Sequence, residues 1–232
     1  MDPSTARKDI APTSRRLTRR VTQLWLGLGL YGASLALLVE AELGLAPWDV
    51  LHEGLSLVTP LSIGMWVIAL GAVVLLLWIP LRQRPGFGTI SNVILVGLAV
   101  DGSLAVLPTA SGLPMRIGYL VAGLGLNAVA TAAYIGGRLG AGPRDGLMTG
   151  LATKGLSIRL ARTLVEATVL VVGFLLGGTV GIGTLLYAFG IGPLVHPLMP
   201  VFEVPAAGGR RRQRAVLSRG RWSRPRRPSP PR

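Results

Sequence analysis

Residues Leu43–Leu55 read LGLAPWDVLHEGL, and residues Leu139–Leu151 read LGAGPRDGLMTGL. Leu, Gly, Pro, Asp, Leu, Gly and Leu coincide at a constant separation of 96 residues. Downstream, LSI at Leu61–Ile63 returns at Leu156–Ile158, and GFGT at Gly86–Thr89 returns as GIGT at Gly181–Thr184, both now 95 residues apart. Upstream, Gly27 and Gly29 align with Gly123 and Gly125; further on, Gly97 aligns with Gly192. A period held across so many blocks marks an internal duplication. The chain therefore divides into repeat one, 21–108, and repeat two, 117–203, between a basic segment 1–20 and an Arg/Pro-rich segment 204–232.

Half of the 232 residues are apolar, and most of the 24 Lys and Arg lie outside the apolar runs. Runs of roughly 20 residues, enough to cross hydrocarbon, begin near Val21, Ile63, Thr89, Ile117, Ile158 and Thr184, three in each copy. With no water in the bilayer core, the backbone must satisfy its own hydrogen bonds. Runs this continuously apolar do so as helices rather than as the alternating strands of a barrel. The expected fold is an all-α polytopic membrane protein of six transmembrane helices. The first run follows a basic segment but is too long for a cleaved signal sequence, and five more follow it.

With a cytoplasmic N-terminus, the inner segments hold Arg7, Lys8, Arg15, Arg16, Arg19, Arg20, Arg82, Arg84, Arg138, Arg144, Lys154, Arg159 and Arg162, and Arg116 alone falls outside. That imbalance places both termini in the cytoplasm. It also puts Trp25 and Trp78 near the inner interface and Trp48 and Trp66 near the outer one, where an aromatic belt is expected. Three spans per copy make the second copy enter from the opposite face, so the repeats are inverted. Many secondary transporters share that architecture, with sites near the midplane where the halves meet.

Between the first and second spans of each copy lies a segment too short to cross, starting at Pro47 and Pro143 and carrying Asp49 and Asp145. A Pro at the first helical position followed by an acid in the first turn starts a short helix. Two readings stay open: the acids cap interfacial helices, or the helices are re-entrant and bring both carboxylates toward the centre, where they bind a cation or carry a proton. In the fifth span Arg159, Arg162 and Glu166 share a face, so Arg162 and Glu166 are expected to pair, either structurally or as part of a solute path. The candidate path is Asp49, Arg144, Asp145, Arg162 and Glu166. Gly86, Gly88 and Thr89, with Gly181, Gly183 and Thr184, open the third and sixth spans. The threonines are expected as N-caps and the glycines, with Gly173 and Gly177, as packing seams. Asn92, Asp101, Asn127 and His196 are cavity-lining candidates, and Pro193, Pro197 and Pro200 are expected to kink or end the last span early.

No cysteine is present, His52 and His196 fall on opposite sides, and no phosphate-binding loop appears. No metal, cofactor or enzymatic nucleophile is therefore expected. The polar, basic ends are expected to be disordered, to set topology and to attract anionic lipid headgroups; a nucleic-acid role is disfavoured. A small solute, a membrane-protein partner or a second copy completes the list of expected partners.

The paired LGLAPWDVL and LGAGPRDGLM, with SIG, PGFGT, GIGT and IGP, resemble the bacterial YczE, YyaS and YitT group of membrane proteins, and most closely its YczE branch, over about Leu24 to Leu198. The resemblance implies a bacterial inner-membrane location and supplies no activity. The sequence leaves two functions: a secondary transporter or permease of a small solute, or an accessory or regulatory membrane protein acting through helix packing with a partner.

Overall fold

The computed structural model of the chain describes residues 10–204, with side chains from Leu17 onward. The basic residues before Ile10 and the C-terminal segment after Val204, to which lipid attraction was assigned, lie outside the described residues. Within them the fold is entirely helical: α1 (Ile10–Ala41), α2 (Pro47–Val58), α3 (Ile63–Trp78), α4 (Phe87–Leu104), α5 (Gly112–Gly136), α6 (Pro143–Ala152), α7 (Ile158–Leu175) and α8 (Ile182–Phe202). Four are long and apolar enough to cross a membrane, namely α1 from Leu17, α4, α5 and α8. A fifth candidate is the pair α2 and α3, bent by 118° at the break between them. The 16 residues of α3 rise only about 24 Å, and α7 carries Arg159, Arg162 and Glu166.

The helix starts follow from the repeated residues. Pro47 and Pro143 open α2 and α6 after extended residues Ala46 and Gly142. The repeated Ser62 and Ser157 are N-caps, their hydroxyls accepting from Met65 N and Leu160 N at 3.2 Å. Asp101 reinforces the first of these, taking Ser62 Oγ at 2.5 Å and Gly64 N at 2.8 Å. Three expectations are corrected. First, α1 starts at Ile10, inside the segment expected to be disordered, because extending an existing helix is far easier than nucleating one. Second, α8 runs through Pro193, Pro197 and Pro200 to Phe202. In an apolar surrounding no water competes for the carbonyls the prolines leave free, so the helix persists. Third, Thr89 and Thr184 are not N-caps. Gly86 and Gly181 hold that position, and the threonines sit one turn in, each hydroxyl accepting from the glycine N–H at 3.1 and 3.3 Å.

Two clusters form the core. Leu24, Leu28, Leu35 and Leu38 of α1 pack with Val96 and Val100 of α4 and Leu120 of α5. Trp48 and Leu51 of α2, Val74 and Trp78 of α3, Leu147 of α6 and Val169 of α7 form the other. Trp48 and Trp78 are thus buried in the protein instead of standing in an aromatic belt; Trp78 Nε1 donates to Pro143 O at 3.1 Å.

The two copies grip each other reciprocally. The Pro-Asp helix of each packs on the other's central helix, α2 on α7 and α6 on α3, while the counterpart helices α1 and α5 pack directly together. Gly183 N donates to Leu43 O at 2.7 Å, and its counterpart Gly88 N donates to Leu139 O at 2.9 Å. Gly173 presses on α2, where an added Cβ would lie 2.5 Å from Leu51 N. The glycine seams are therefore contacts between copies, as close approach of small residues in lipid would require. Thr89, fully buried, also donates to Ala141 O at 2.7 Å. Thr89→Val leaves Gly86 N and Ala141 O without this partner and should lower stability by about 1–3 kcal/mol. A thermal melt in detergent checks it; an unchanged midpoint would show that the hydroxyl holds nothing.

Candidate functional site

Where α2 and α6 begin, their first turns converge. Asp49 Oδ1 lies 3.2 Å from Arg144 Nη2, joining the Pro-Asp helix of one copy to that of the other. His52, one turn further along α2, places Nδ1 3.3 Å from the same oxygen. Asp49 and His52 are 3% and 2% exposed and Arg144 29%. Asp49 and Asp145 stand in the first turns of α2 and α6, whose N-cap positions are held by Ala46 and Gly142. The Arg144 guanidinium lies over the Trp48 ring, 5.1 Å from its centroid, a favourable cation–π placement. Trp48 and Arg144 are counterparts in the duplication, so two equivalent positions touch each other, as they must near a twofold axis.

Beside this junction Arg162 serves two acids, with Nε 3.3 Å from Glu166 and Nη2 3.9 Å from Asp145. The expected pairing of Arg162 with Glu166 is thus present in the structure, one turn apart on α7. A cavity of about 390 Å³ opens onto both groups and is lined by Trp48 and His52 of α2, Arg144 and Asp145 of α6, and Arg162 and Glu166 of α7. Tyr31, Tyr134 and Tyr187 line it as well, and Val67, Leu70, Val93, Val96 and Val195 supply an apolar wall. Buried beside it, Trp48 Nε1 and Asp49 Oδ2 have no hydrogen-bond partner among the described residues, a condition native interiors seldom tolerate.

The candidate path residues are therefore brought together: Arg144, Asp145, Arg162 and Glu166 line one cavity, and Asp49 stands directly behind Arg144. Pro47 and Pro143 line it too, at the helix starts. Gly86, Gly88, Thr89, Gly181, Gly183 and Thr184 lie away from it, in the seats where the copies dock. Of the other polar candidates, Asn92 lines the cavity, Asp101 caps α3 and His196 is exposed. Asn127 is fully buried, bonding Ser34 Oγ at 2.8 Å and accepting from the Tyr187 hydroxyl at 3.1 Å. The sequence reading missed His52 as the neighbour of Asp49, although its spacing of three placed both on one helical face. It also missed the three tyrosines, because an aromatic in an apolar run looks the same whether it fills a core or lines a cavity.

Comparison with known proteins agrees with a membrane protein and adds no chemistry. A family described as "Family of unknown function (DUF6198)" matches residues 18–200. A Haemophilus influenzae protein named "Uncharacterized protein" is 38% identical, over 77% of this chain and 82% of its own. Two Bacillus subtilis proteins, "Uncharacterized membrane protein YczE" and "Uncharacterized protein YyaS", are each 31% identical, over 80% and 78% of this chain and 88% and 93% of theirs. No solved structure matches. With apolar helices of spanning length and a family model that matches most of its length, this chain is a membrane protein, is similar to YczE and YyaS, and belongs to the DUF6198 family.

Proposed function

We propose that the protein is a secondary transporter or permease of a small solute in the bacterial cytoplasmic membrane, built as two inverted three-span repeats with both termini cytoplasmic. The observation that carries this reading is the cavity at the junction of the two Pro-Asp helices, reached by Arg144, Asp145, Arg162 and Glu166. A solidly packed junction with every carboxylate at the surface would have favoured a packing role instead. Inverted repeats place their sites where discontinuous helices from the two halves meet, with half-helix N-termini facing inward, and α2 and α6 meet by their first turns.

The topology has independent support. Two contacts join residues assigned to the outer face, Arg116 with Glu42 at 2.6 Å and Leu45 N donating to Thr179 O at 3.2 Å, while Trp48 from the outer set reaches Arg144 from the inner set at the centre, as re-entrant first turns would. Two more join residues assigned to the inner face: Arg138 pairs with Glu203 at 2.5 Å, and Arg20 Nε donates to Gly137 O at 2.7 Å. On this reading α3 and α7 are spans too. The shortness of α3 is made up by its turn beyond Trp78, and the charges of α7 cluster in its cytoplasmic half, where Arg159 and Arg162 can snorkel. The basic ends, by the same reading, hold anionic lipid headgroups on the cytoplasmic side.

Single cysteines introduced at the exposed loop positions Pro60 and Arg84 test the inversion; substitution at Ser111 and Lys154 gives a second pair. A membrane-impermeant thiol reagent applied to intact cells should label the positions at 60 and 111 and spare those at 84 and 154. Uptake screening in reconstituted vesicles tests the function: a transported solute should be found, and Asp145→Asn should lower its rate by about tenfold or more while folded yield is kept. An accessory role draws on α8, whose apolar face is left uncovered by the rest of the chain. A panel of solutes that all stay outside the vesicles, with a membrane partner co-purifying on α8, would favour that role.

A further inference from the structure

We infer that the cavity takes a small organic cation, an alkyl- or arylammonium, with Asp145 and Glu166 as its counter-charges and the rings of Tyr31, Tyr134 and Tyr187 as its wall. The inference rests on the permease reading and names its solute class.

Three carboxylates meet two guanidinium groups here. Arg144 is committed to Asp49, buried behind it, and lies over Trp48. That leaves Arg162 to serve both Asp145 and Glu166, which are 47% and 39% exposed. Its contact with Glu166, at 3.3 Å, is within hydrogen-bonding distance; its contact with Asp145, at 3.9 Å, is beyond it. Asp145 is thus a cavity-lining carboxylate that accepts no hydrogen bond among the described residues; the lining balances Arg144 and Arg162 against Asp145 and Glu166, but with Arg144 committed to Asp49 the two lining acids share a single guanidinium, and a cationic ligand supplies the second counter-charge. An anionic ligand would have to approach those two acids or take Arg144 from Asp49, leaving a buried carboxylate without its partner.

The remaining surface suits a cation as well. Aromatic faces attract ammonium and guanidinium groups, and the site already shows that use where Arg144 covers Trp48. Tyr31 and Tyr134 stand edge to face, with centroids 6.0 Å apart. The apolar wall of Val67, Leu70, Val93 and Val96 accepts the hydrocarbon part. Two buried atoms here have no partner among the described residues, and they ask for different groups: Asp49 Oδ2 accepts, as an ammonium N–H would require, whereas Trp48 Nε1 donates and calls for a ligand oxygen rather than the charged head. A volume of about 390 Å³ sits at the small end of ligand cavities, so one ring and one charged head fill it.

The test compares three probes of similar shape and different charge, namely benzyltrimethylammonium, benzyl alcohol and benzoate, on the full chain purified in detergent, by calorimetry. The quaternary cation should bind saturably and more tightly than the alcohol, and benzoate should not bind. Asp145→Asn and Glu166→Gln should each weaken the cation by about tenfold without changing elution on gel filtration. Should one variant fail to give monodisperse protein, the other carries the comparison, and the ranking of the three probes on the parent chain needs neither. Binding of benzoate in preference to the cation, or binding of none of the three, overturns the inference. Vesicle flux separates it from the reading beneath it. A cation that binds and never crosses leaves the site standing and removes the permease; flux of benzoate keeps the permease and removes the cation.

Discussion

Replacing Arg144 by Ala is expected to destabilise the protein by about 3–5 kcal/mol, the usual effect of removing one partner of a buried ion pair. Asp49 is 3% exposed, with Arg144 Nη2 at 3.2 Å and His52 Nδ1 at 3.3 Å, both on Oδ1, while Oδ2 has no partner. Without the guanidinium, the carboxylate keeps only an imidazole for company, and Trp48 loses the group that covers its face. The double variant Asp49→Leu with Arg144→Leu should recover most of the loss, since replacing both charges by apolar groups removes the desolvation penalty along with the attraction. Thermal unfolding in detergent across this cycle measures the coupling between two residues from different copies. If Arg144→Ala melts within about 1 kcal/mol of the parent, the junction is not held by this pair and the argument for a charged centre falls. The recovered double variant should still fail in any uptake assay, because stability and the chemistry of the path are separate properties of the same two residues.

The duplication was legible because seven identities recur at one spacing, and the Pro-Asp helices because Pro47 and Pro143 leave little choice about where a helix begins. Position along the chain says nothing about how the copies face each other. The Asp49–Arg144 contact joins residues 95 positions apart, one from each copy. One signal could have found it: a twofold axis obliges some residues to touch their own counterparts. Position 48 carries an aromatic ring in one copy and position 144 a cation in the other, a complementary pair. Glu166 has no acidic counterpart, since Gly71 stands at its position in repeat one, and both line the cavity. The site is therefore asymmetric even where the scaffold is duplicated, and the charged half of the wall lies on repeat two. The departures from the sequence reading share a different cause. Proline in water ends helices, and threonine after glycine reads as a cap, but α8 is apolar and long enough to cross a membrane, where no water competes for its carbonyls, and the Gly-x-Gly-Thr turn is shaped by the linker of the other copy docking into it.

The same docking gives the second large effect. Gly44 and Gly140 are counterparts with φ of +112° and +142°, conformations that any residue with a Cβ adopts only under strain. Each also presses on the other copy: a Cβ on Gly44 would sit 2.5 Å from Gly181 N, and one on Gly140 would sit 2.8 Å from Thr89 Oγ1. In the first case the obstacle is backbone, which has nowhere to move without lifting Leu43 O off Gly183 N. In the second it is the hydroxyl that holds Gly86 N and Ala141 O. Gly44→Ala should therefore cost more than Gly140→Ala, about 3 kcal/mol or above against about 2, with the strain of the backbone common to both. For a domain of this size that corresponds to falls of about 6–12 °C and 4–8 °C in melting temperature. Gly29→Ala, at a helical position with nothing within 4 Å of the added methyl, is the control and should be neutral or slightly stabilising. Melts of the three variants in one detergent decide the matter. A Gly44→Ala midpoint level with that of Gly29→Ala would mean that the linkers do not seat on the opposite copy, and the reciprocal architecture on which the central cavity depends would have to be abandoned.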